Sequence, residues 1–174
     1  MGGSAAVTIV RFGQEHLEPF RALAADPLVL RFTRFPDPLP EGFAESWLAR
    51  YEAGRAAGTM EGFAILAGGV FAGIAVVPEI DRARNAAELG YAVSPEARGR
   101  GVATAALELL TQWAFNEAGI ERAELQIGAA NEASKHVARA CDYRYLHTEP
   151  HVRVKPGRIE DSAHWVRERA ANST

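Results

Sequence analysis

The sequence predicts an α+β domain built on a mixed, mostly antiparallel sheet of about seven strands, flanked by about four helices. Three consecutive strand-like segments precede the longest helical pattern, which favours a mixed sheet over a doubly wound parallel one. The chain has 174 residues, of which 48% are hydrophobic and 24% charged, as is usual for one globular domain. We therefore expect a single domain over residues 1–174, with frayed ends at 1–6 and 169–174.

The first third of the chain predicts a strand and two helices. Alternating side chains in Val7–Phe12 indicate a strand, and Glu15–Ala25 places its apolar residues on one helical face. We expect Asp26-Pro27 to end that helix. Three prolines predict a loop over Arg31–Gly42, which would either wall a ligand pocket or serve only as a connection. Apolar residues at helical spacing then predict a second helix over Phe43–Ala57.

The middle of the chain predicts a hairpin, a further strand and the longest helix. Met60–Ala67 and Val70–Val77 are apolar runs joined by a Gly-Gly pair, which is typical of a tight hairpin. Ala86–Val93 is the fourth predicted strand. The helix Val102–Ala118 is followed by Gly119, a residue suited to the position after a helix C-terminus.

The last third predicts three more strands and one short helix. Arg122–Ile127 alternates apolar and charged residues, as a half-buried strand does. Asn131 is a suitable N-cap for a helix that runs to about Cys141. Tyr143–His147 and Ile159–Arg167 are the two final predicted strands.

Charge, hydropathy and cysteine content exclude several classes. A net charge of −3 argues against a chain-wide basic surface for nucleic acid or anionic membranes. The longest apolar stretch, Phe63–Val77, contains three glycines and is shorter than the roughly 20 residues of a membrane-spanning helix. A single cysteine, Cys141, excludes an intramolecular disulfide and a cysteine-cluster zinc site, and we expect it to be a small buried thiol. A reducing, cytoplasmic location fits best.

No metal site is expected. His147 and His151 have the four-residue spacing of helical metal ligands, but Pro150 between them argues against a helix.

The segment between the fourth strand and the longest helix carries the chemical information. It contains Arg98, Gly99, Arg100 and Gly101, directly before the helix that begins at Val102. Glycines allow a ligand to approach the backbone, and the first turn of a helix offers unpaired N–H groups and a dipole that favours anions. The two arginines add positive charge. The pattern therefore predicts a pyrophosphate site.

Two familiar phosphate loops fit this segment poorly. A P-loop requires Gly-Lys-Ser/Thr, which the chain does not contain. A dinucleotide fingerprint usually lies in the first βαβ unit, whereas Gly99-Arg100-Gly101 follows four strands. A nicotinamide-dinucleotide binder nevertheless remains an alternative.

A third loop fits better. Arg98-x-x-Gly101-x-Ala103 resembles the Q/R-x-x-G-x-G/A signature of the GCN5-related N-acetyltransferases, the GNAT superfamily. Asn131-x-x-Ser134 is similar to the N-x-x-S of its RimJ/RimL-like branch, and Asp26-Pro27 and Arg158-x-x-Asp161 resemble weaker branch features. The resemblance covers essentially Val7–Arg167. It implies a GNAT-like sheet, acetyl-CoA as acyl donor, no metal, and a primary-amine acceptor: a protein N-terminus first, a small molecule second. It also implies a possible homodimer.

The resemblance further implies that the fourth strand separates from the fifth and that its backbone lies along the pantetheine arm. An amide near Val93 would then polarise the thioester carbonyl, and Asn131 would hydrogen-bond the arm. The expected cofactor-binding residues are Tyr91, Ala92, Val93, Arg98, Gly99, Arg100, Gly101, Val102, Ala103, Asn131 and Ser134.

Two residues are the candidate catalytic pair. Glu88 shares a strand face with Gly90 and Ala92 and is the candidate base for the acceptor ammonium. Ser134 is the candidate that contacts or protonates the leaving thiolate. Each also has a simpler explanation, Glu88 as a solvated strand carboxylate and Ser134 as a polar residue of a helix first turn.

The sequence departs from the family at two places. Many GNAT enzymes carry a tyrosine on the helix after the fifth strand, near the position of Ala138, and none stands there. The Gly-Phe that commonly follows that helix is Asp142-Tyr143. A domain that binds CoA without catalysing transfer is therefore a further alternative.

Overall fold

The computed structural model describes residues 5–171; residues 1–4 and 172–174 of the ends predicted to fray lie outside this range. Two short 3₁₀ turns, Gln14–His16 and Pro95–Ala97, accompany the longer elements. In chain order these are β1 (Val7–Arg11), α1 (Leu17–Ala24), α2 (Pro27–Phe32), α3 (Phe43–Ala57), β2 (Glu61–Ala67), β3 (Val70–Asp81), β4 (Ala86–Val93), α4 (Val102–Asn116), β5 (Arg122–Gly128), α5 (Glu132–Ala140), β6 (Arg144–Lys155) and β7 (Arg158–Glu168).

The strands form one seven-stranded sheet in the order β1-β2-β3-β4-β5-β7-β6. Every neighbouring pair is antiparallel except β4 and β5, which run parallel. The predicted α+β class and the mixed, mostly antiparallel sheet of seven strands are thereby confirmed. The described part of the chain holds five α-helices rather than the expected four.

The helices cover both faces of the sheet. Along β2, Ile65 packs into a core that includes Leu107 and Leu110 of α4, whereas Ala64 packs into a second core with Trp47 and Tyr51 of α3. Successive strand residues face opposite sides, so α3 and α4 lie on opposite faces of the sheet.

The fifth helix, α2, corrects the expectation for Asp26-Pro27. Asp26 is the N-cap of α2, where its carboxylate accepts hydrogen bonds from the N–H groups of Leu28 and Val29 at 3.1 Å, and Pro27 is the first helical residue. Proline at this position loses no intrahelical hydrogen bond. The dipeptide therefore separates two helices, and the predicted loop begins after Phe32 instead of at Arg31.

The last hairpin is longer than predicted. β6 continues to Lys155 instead of ending at His147, and it accommodates Pro150 at a register shift where His151 has φ of +57°. His147 lies on this strand with its ring stacked on that of His164, at a centroid distance of 4.6 Å. Within residues 5–171, no group of three or more His, Cys, Asp or Glu side chains is placed to hold a metal ion.

Three local predictions, for the Gly68-Gly69 turn, Asn131 and Cys141, are confirmed. The turn Gly68-Gly69 joins β2 to β3 with positive φ at both glycines. Asn131 caps α5 by accepting a hydrogen bond from the N–H of Ser134. Cys141 is a buried free thiol, and burial raises its pKa to about 11. Among the described residues, no helix is both long enough and apolar enough to cross a bilayer.

Candidate active site

The sheet opens between β4 and β5. The two parallel strands pair only at Ala86, Ala87 and Glu88, opposite Arg122–Glu124. Beyond Glu88, β4 continues to pair with β3 on its other side, and β5 pairs with β7. The expected separation of the fourth strand from the fifth is therefore present. It leaves one edge of β4, from Leu89 to Val93, facing a cleft instead of a strand.

A cavity of about 500 Å³ fills this opening, a size typical of small-molecule sites. Residues of both faces of the sheet line it, because it passes between the separated strands. The loop predicted over Arg31–Gly42 forms one wall through Arg34, Phe35 and Pro36. Lys155 holds that wall by donating hydrogen bonds to the carbonyl oxygens of Leu30 and Phe35.

The predicted pyrophosphate turn lies at one end of the cleft. Gly99 and Gly101 have φ of +72° and +74°, and Gly101 is the N-cap of α4 without a side-chain cap. No other part of the described protein lies within 4 Å of the position that a Cβ would occupy at either glycine. The backbone therefore requires glycine for its conformation, and the space over the turn is open to a ligand.

Arg98 connects this turn to α2. Its guanidinium donates a hydrogen bond to the carboxylate of Asp26 at 2.6 Å. Burial of Asp26 opposes ionisation, but the hydrogen bonds from Arg98 and from the N–H groups of α2 hold the pKa of Asp26 below its usual value. Arg98 and Ala103 line the cavity, whereas Gly99, Arg100, Gly101 and Val102 lie outside its lining.

Tyr91, Ser134 and Asn131 meet at the cleft. The Tyr91 hydroxyl donates to the Ser134 hydroxyl at 3.2 Å, and Asn131 Oδ1 accepts from the Ser134 N–H at 3.2 Å. All three residues line the cavity with Ala92 and Val93. Burial raises the pKa of Tyr91 to about 12, so its phenol stays protonated at neutral pH. The sequence had pointed to Tyr91 for its backbone alone.

Glu88 lies where the two strands part. Its carboxylate accepts a hydrogen bond from Arg34 at 2.7 Å, and the same guanidinium nitrogen reaches Gln126 Oε1 on β5 at 3.0 Å. The Glu88 side chain is 16% exposed. It lines the cavity, as do Gly90 and Ala92 of the same strand face.

A second carboxylate, Glu160 on β7, was missed in the sequence. It also lines the cavity, and it pairs with Arg31 at 2.9 Å. The nearby Arg158-x-x-Asp161 had been singled out, but only strand alternation, once β7 is placed, could have shown that Glu160 lines the cleft. Arg34 was missed because nothing in a proline-rich loop indicates where its side chains lie.

The comparison with known families agrees with this geometry. The sequence profile of a family described as an acetyltransferase (GNAT) domain matches residues 6–144, most of the chain. The chain belongs to this GNAT family.

Known proteins resemble this GNAT chain in sequence or in fold. It is 29% identical over 156 residues to the FsC-acetyl coenzyme A-N(2)-transacetylase of Aspergillus fumigatus, covering 83% of this chain but only 65% of the relative. The structure of RimL, a ribosomal alpha-N-protein acetyltransferase in complex with coenzyme A, matches with a TM-score of 0.87 and 17% identity over 95% of each chain. Spermidine N-acetyltransferase from Vibrio cholerae, in complex with CoA and spermine, matches with a TM-score of 0.81 and 15% identity, covering 93% of this chain and 95% of that one. Both structural matches establish a shared fold.

Proposed function

We propose that this protein is an acetyl-CoA-dependent N-acetyltransferase that moves the acetyl group by direct transfer to a primary amine. The observation that carries the proposal is the cleft between β4 and β5, which joins the open turn before α4 to the carboxylate of Glu88. A protein or peptide N-terminal amine is the leading acceptor, in line with the RimJ/RimL-like features of the sequence. A small-molecule amine is the second candidate, since one structural neighbour acts on spermidine.

The residues present fit acetyl-CoA. Gly101 and the first turn of α4 present unpaired N–H groups towards open space, where a pyrophosphate is stabilised by the helix dipole. Arg100 adds positive charge at the same turn. The free edge of β4 up to Val93 offers backbone groups for the pantetheine arm and an N–H to polarise the thioester carbonyl. Bound in this way, acetyl-CoA supplies an activated acyl group.

Glu88 is the proposed base. A primary amine is largely protonated at neutral pH, and only its neutral form attacks a carbonyl. The Glu88 carboxylate first takes one proton from the ammonium, directly or through one water. The neutral nitrogen then forms its bond to the acetyl carbon and loses its second proton to solvent as the carbon–sulfur bond breaks. The hydrogen bond from Arg34 fixes the Glu88 carboxylate but leaves its other oxygen for the ammonium.

Ser134 is the proposed proton donor to sulfur. As the carbon–sulfur bond breaks, the Ser134 hydroxyl gives its proton to the leaving thiolate and takes one from the Tyr91 phenol. Tyr91 recovers its proton from solvent once products leave. The tyrosine that many GNAT enzymes place on the helix after the fifth strand is thus replaced here by one on β4. This pair favours catalysis over the alternative of a domain that only binds CoA.

The decisive experiment combines a binding and a turnover measurement. Calorimetric titration with acetyl-CoA, and with NAD and NADP as controls, should show saturable one-to-one binding of acetyl-CoA alone. Release of free CoA should then require an added N-terminal peptide or small amine. Binding without amine-dependent release would support a non-catalytic CoA-binding domain, and binding of NAD alone would support the dinucleotide alternative.

Location and assembly belong to the same proposal. We expect the protein to act in the cytoplasm, since its one cysteine is a buried free thiol that a reducing compartment suits. A homodimer is expected from the family resemblance. Light scattering coupled to gel filtration measures the assembly directly.

A further inference from the structure

The cleft is lined by an excess of positive charge, although the net charge of the whole chain is negative. The chain has a net charge of −3, yet the cavity is lined by four arginines and only two acidic residues. These are Arg34, Arg50, Arg98, Arg153, Glu88 and Glu160. An excess of guanidinium groups in a cleft of low dielectric attracts anions and repels cations.

In the part of the chain that the structure describes, two of these arginines have no acidic partner. Arg34 pairs with Glu88, and Arg98 pairs with Asp26. Glu160 pairs with Arg31, outside the cavity lining. Within residues 5–171, neither Arg50 nor Arg153 has a carboxylate oxygen within 4 Å, and both side chains are exposed. Their charge is therefore available to a bound molecule.

Arg50 lies on the side of the cleft opposite the pyrophosphate turn, which we call the acceptor side. It lies on α3, next to Tyr51, and α3 covers the face of the sheet opposite α4 and the pyrophosphate turn. Burial raises the pKa of Tyr51 to about 12; the charges of Arg50 and Arg34 oppose that rise, while the charge of Glu88 adds to it. Arg50 and Arg34 line the same cavity as the proposed base, so both can act on a molecule whose amine reaches Glu88.

Arg153 reaches the cavity from a different secondary-structure element. It lies on β6, between Val152 and Val154, which also line the cavity. Two of the aromatic residues that line the cavity, Trp47 and Tyr51, offer little to a cation in compensation. Trp47 and Tyr51 are 6% and 5% exposed, and their rings pack on each other at 4.2 Å. Their faces are therefore covered by one another and by the core.

We infer that the natural acceptor carries an anionic group, a carboxylate or a phosphate, beside its primary amine, and that Arg50 and Arg153 bind this group. This inference rests on the proposed transferase function and narrows its acceptor. A guanidinium matches the planar, bidentate geometry of carboxylate and phosphate oxygens. Polyamines such as spermidine are disfavoured, because their second ammonium would lie against unpaired arginines.

Matched acceptors test the inference. One set is the peptide amides Ser-Glu-Ala-Ala, Ser-Gln-Ala-Ala and Ser-Lys-Ala-Ala, which share an N-terminal amine and differ in one charge. A second set is β-alanine, its neutral amide, phosphoethanolamine and spermidine, which separates carboxylate from phosphate. We expect kcat/KM to be about tenfold higher for the anionic member than for its neutral partner. This preference should weaken as salt is raised.

The variants Arg50→Gln and Arg153→Gln locate the effect. Each should bring kcat/KM for the anionic acceptors close to the neutral value, with acetyl-CoA affinity unchanged. Arg144→Gln is the matched control, because Arg144 is an exposed arginine on the same strand as Arg153 and outside the cavity lining. It should keep the wild-type preference.

Different failures have different meanings. Equal rates with the Glu and Lys peptides, or a preference for spermidine, would overturn the inference while the transferase function stands. A loss of acetyl-CoA affinity in Arg50→Gln would assign that residue to the cofactor and also overturn it. If no acceptor releases CoA, the proposed function itself fails. The inference is then decided by calorimetric binding of the same peptides to the CoA-saturated protein, where equal affinities contradict it.

Discussion

The hydroxyl of Tyr91 on β4 donates a hydrogen bond to the hydroxyl of Ser134 on α5 at 3.2 Å, across the line where β4 and β5 separate. Burial raises the pKa of this phenol to about 12, so Tyr91 keeps its proton at neutral pH and offers it to Ser134 as a hydrogen-bond donor. In the proposed transfer, this pair is the route by which a proton reaches the thioester sulfur, although the two side chains lie 43 residues apart in the sequence.

Removing the phenol should slow turnover without weakening cofactor binding. We expect Tyr91→Phe to lower kcat by about tenfold and Ser134→Ala by about a hundredfold, since general acid catalysis contributes on the order of 10²–10⁴. Calorimetry should show acetyl-CoA affinities within about twofold of wild type.

Tyr143→Phe is the matched control for this prediction. Tyr143 is also buried with a raised pKa, but its hydroxyl pairs with Thr111 at 2.7 Å, away from the cleft lining. Loss of stability without loss of kcat is expected there. A normal kcat in Tyr91→Phe would remove the phenol from the proton route.

Replacing the proposed base should produce a defect that depends on pH. Glu88→Gln keeps the size of the side chain but cannot accept a proton, so the rate depends on amine that is already neutral. We expect kcat/KM to fall by about a hundredfold at pH 7. The deficit should shrink as pH rises past about 8, where a peptide N-terminus loses its proton.

Glu160→Gln decides between the two carboxylates of the cleft. Glu160 is held by Arg31, and we expect its loss to raise KM more than it lowers kcat. A larger, pH-dependent fall in kcat for Glu160→Gln than for Glu88→Gln would transfer the base to β7.

Charge at the turn before α4 should abolish binding of acetyl-CoA. Gly101→Glu places a carboxylate where the pyrophosphate is expected and forces a non-glycine residue into φ of +74°. Gly119→Glu makes the same change at φ of +68° in a turn that is also open but that follows the opposite, C-terminal end of α4. Calorimetry should show no saturable binding for the first variant and normal affinity for the second. Equal affinity in both would reject this turn as the phosphate site.

Asp26 should stabilise the fold in its ionised form. The pKa of Asp26 is lower in the folded protein than in the unfolded chain, so this contribution is complete above the unfolded pKa of about 3.9. It is lost as pH falls through the lower, folded value. Asp26→Ala also removes the cap of α2 and should cost about 0.5–2 kcal/mol at pH 7.

Urea unfolding across pH measures this effect. The difference between wild type and Asp26→Ala should shrink below about pH 4. Asp81→Ala is the comparison, since Asp81 accepts two backbone N–H bonds in an exposed turn but has no arginine partner within 4 Å among the described residues. A pH-independent difference for Asp26→Ala would contradict the linkage.

Most of the fold could be predicted because strand alternation, helical spacing and glycine turns are local signals. Asp26-Pro27 shows where local signals are ambiguous, since the same dipeptide both ends one helix and begins the next. The residues of the proposed site likewise fall into those that the local sequence predicts and those that it does not. The glycine turn and Asn131 are recognisable locally, whereas the Tyr91–Ser134 and Arg34–Glu88 contacts join distant segments and exist only once the strands are arranged.

The end of β4 depends on a close approach that only glycine permits. A Cβ at Gly73 on β3 would lie 2.1 Å from the carbonyl oxygen of Ala92, and the residue has φ of +153°. Because the obstacle is backbone, Gly73→Ala must push β3 away from Ala92 and Val93, and we expect a cost of about 1–3 kcal/mol. Gly90→Ala is the control, because its Cβ would meet Val76 at an ordinary 3.6 Å. Thermal unfolding should show a clear loss for Gly73→Ala and a small change for Gly90→Ala. Acetyl-CoA should also bind more weakly to the folded Gly73→Ala protein, since the displaced strand end carries the N–H of Val93. Unchanged affinity would show that this end of β4 does not bind the cofactor.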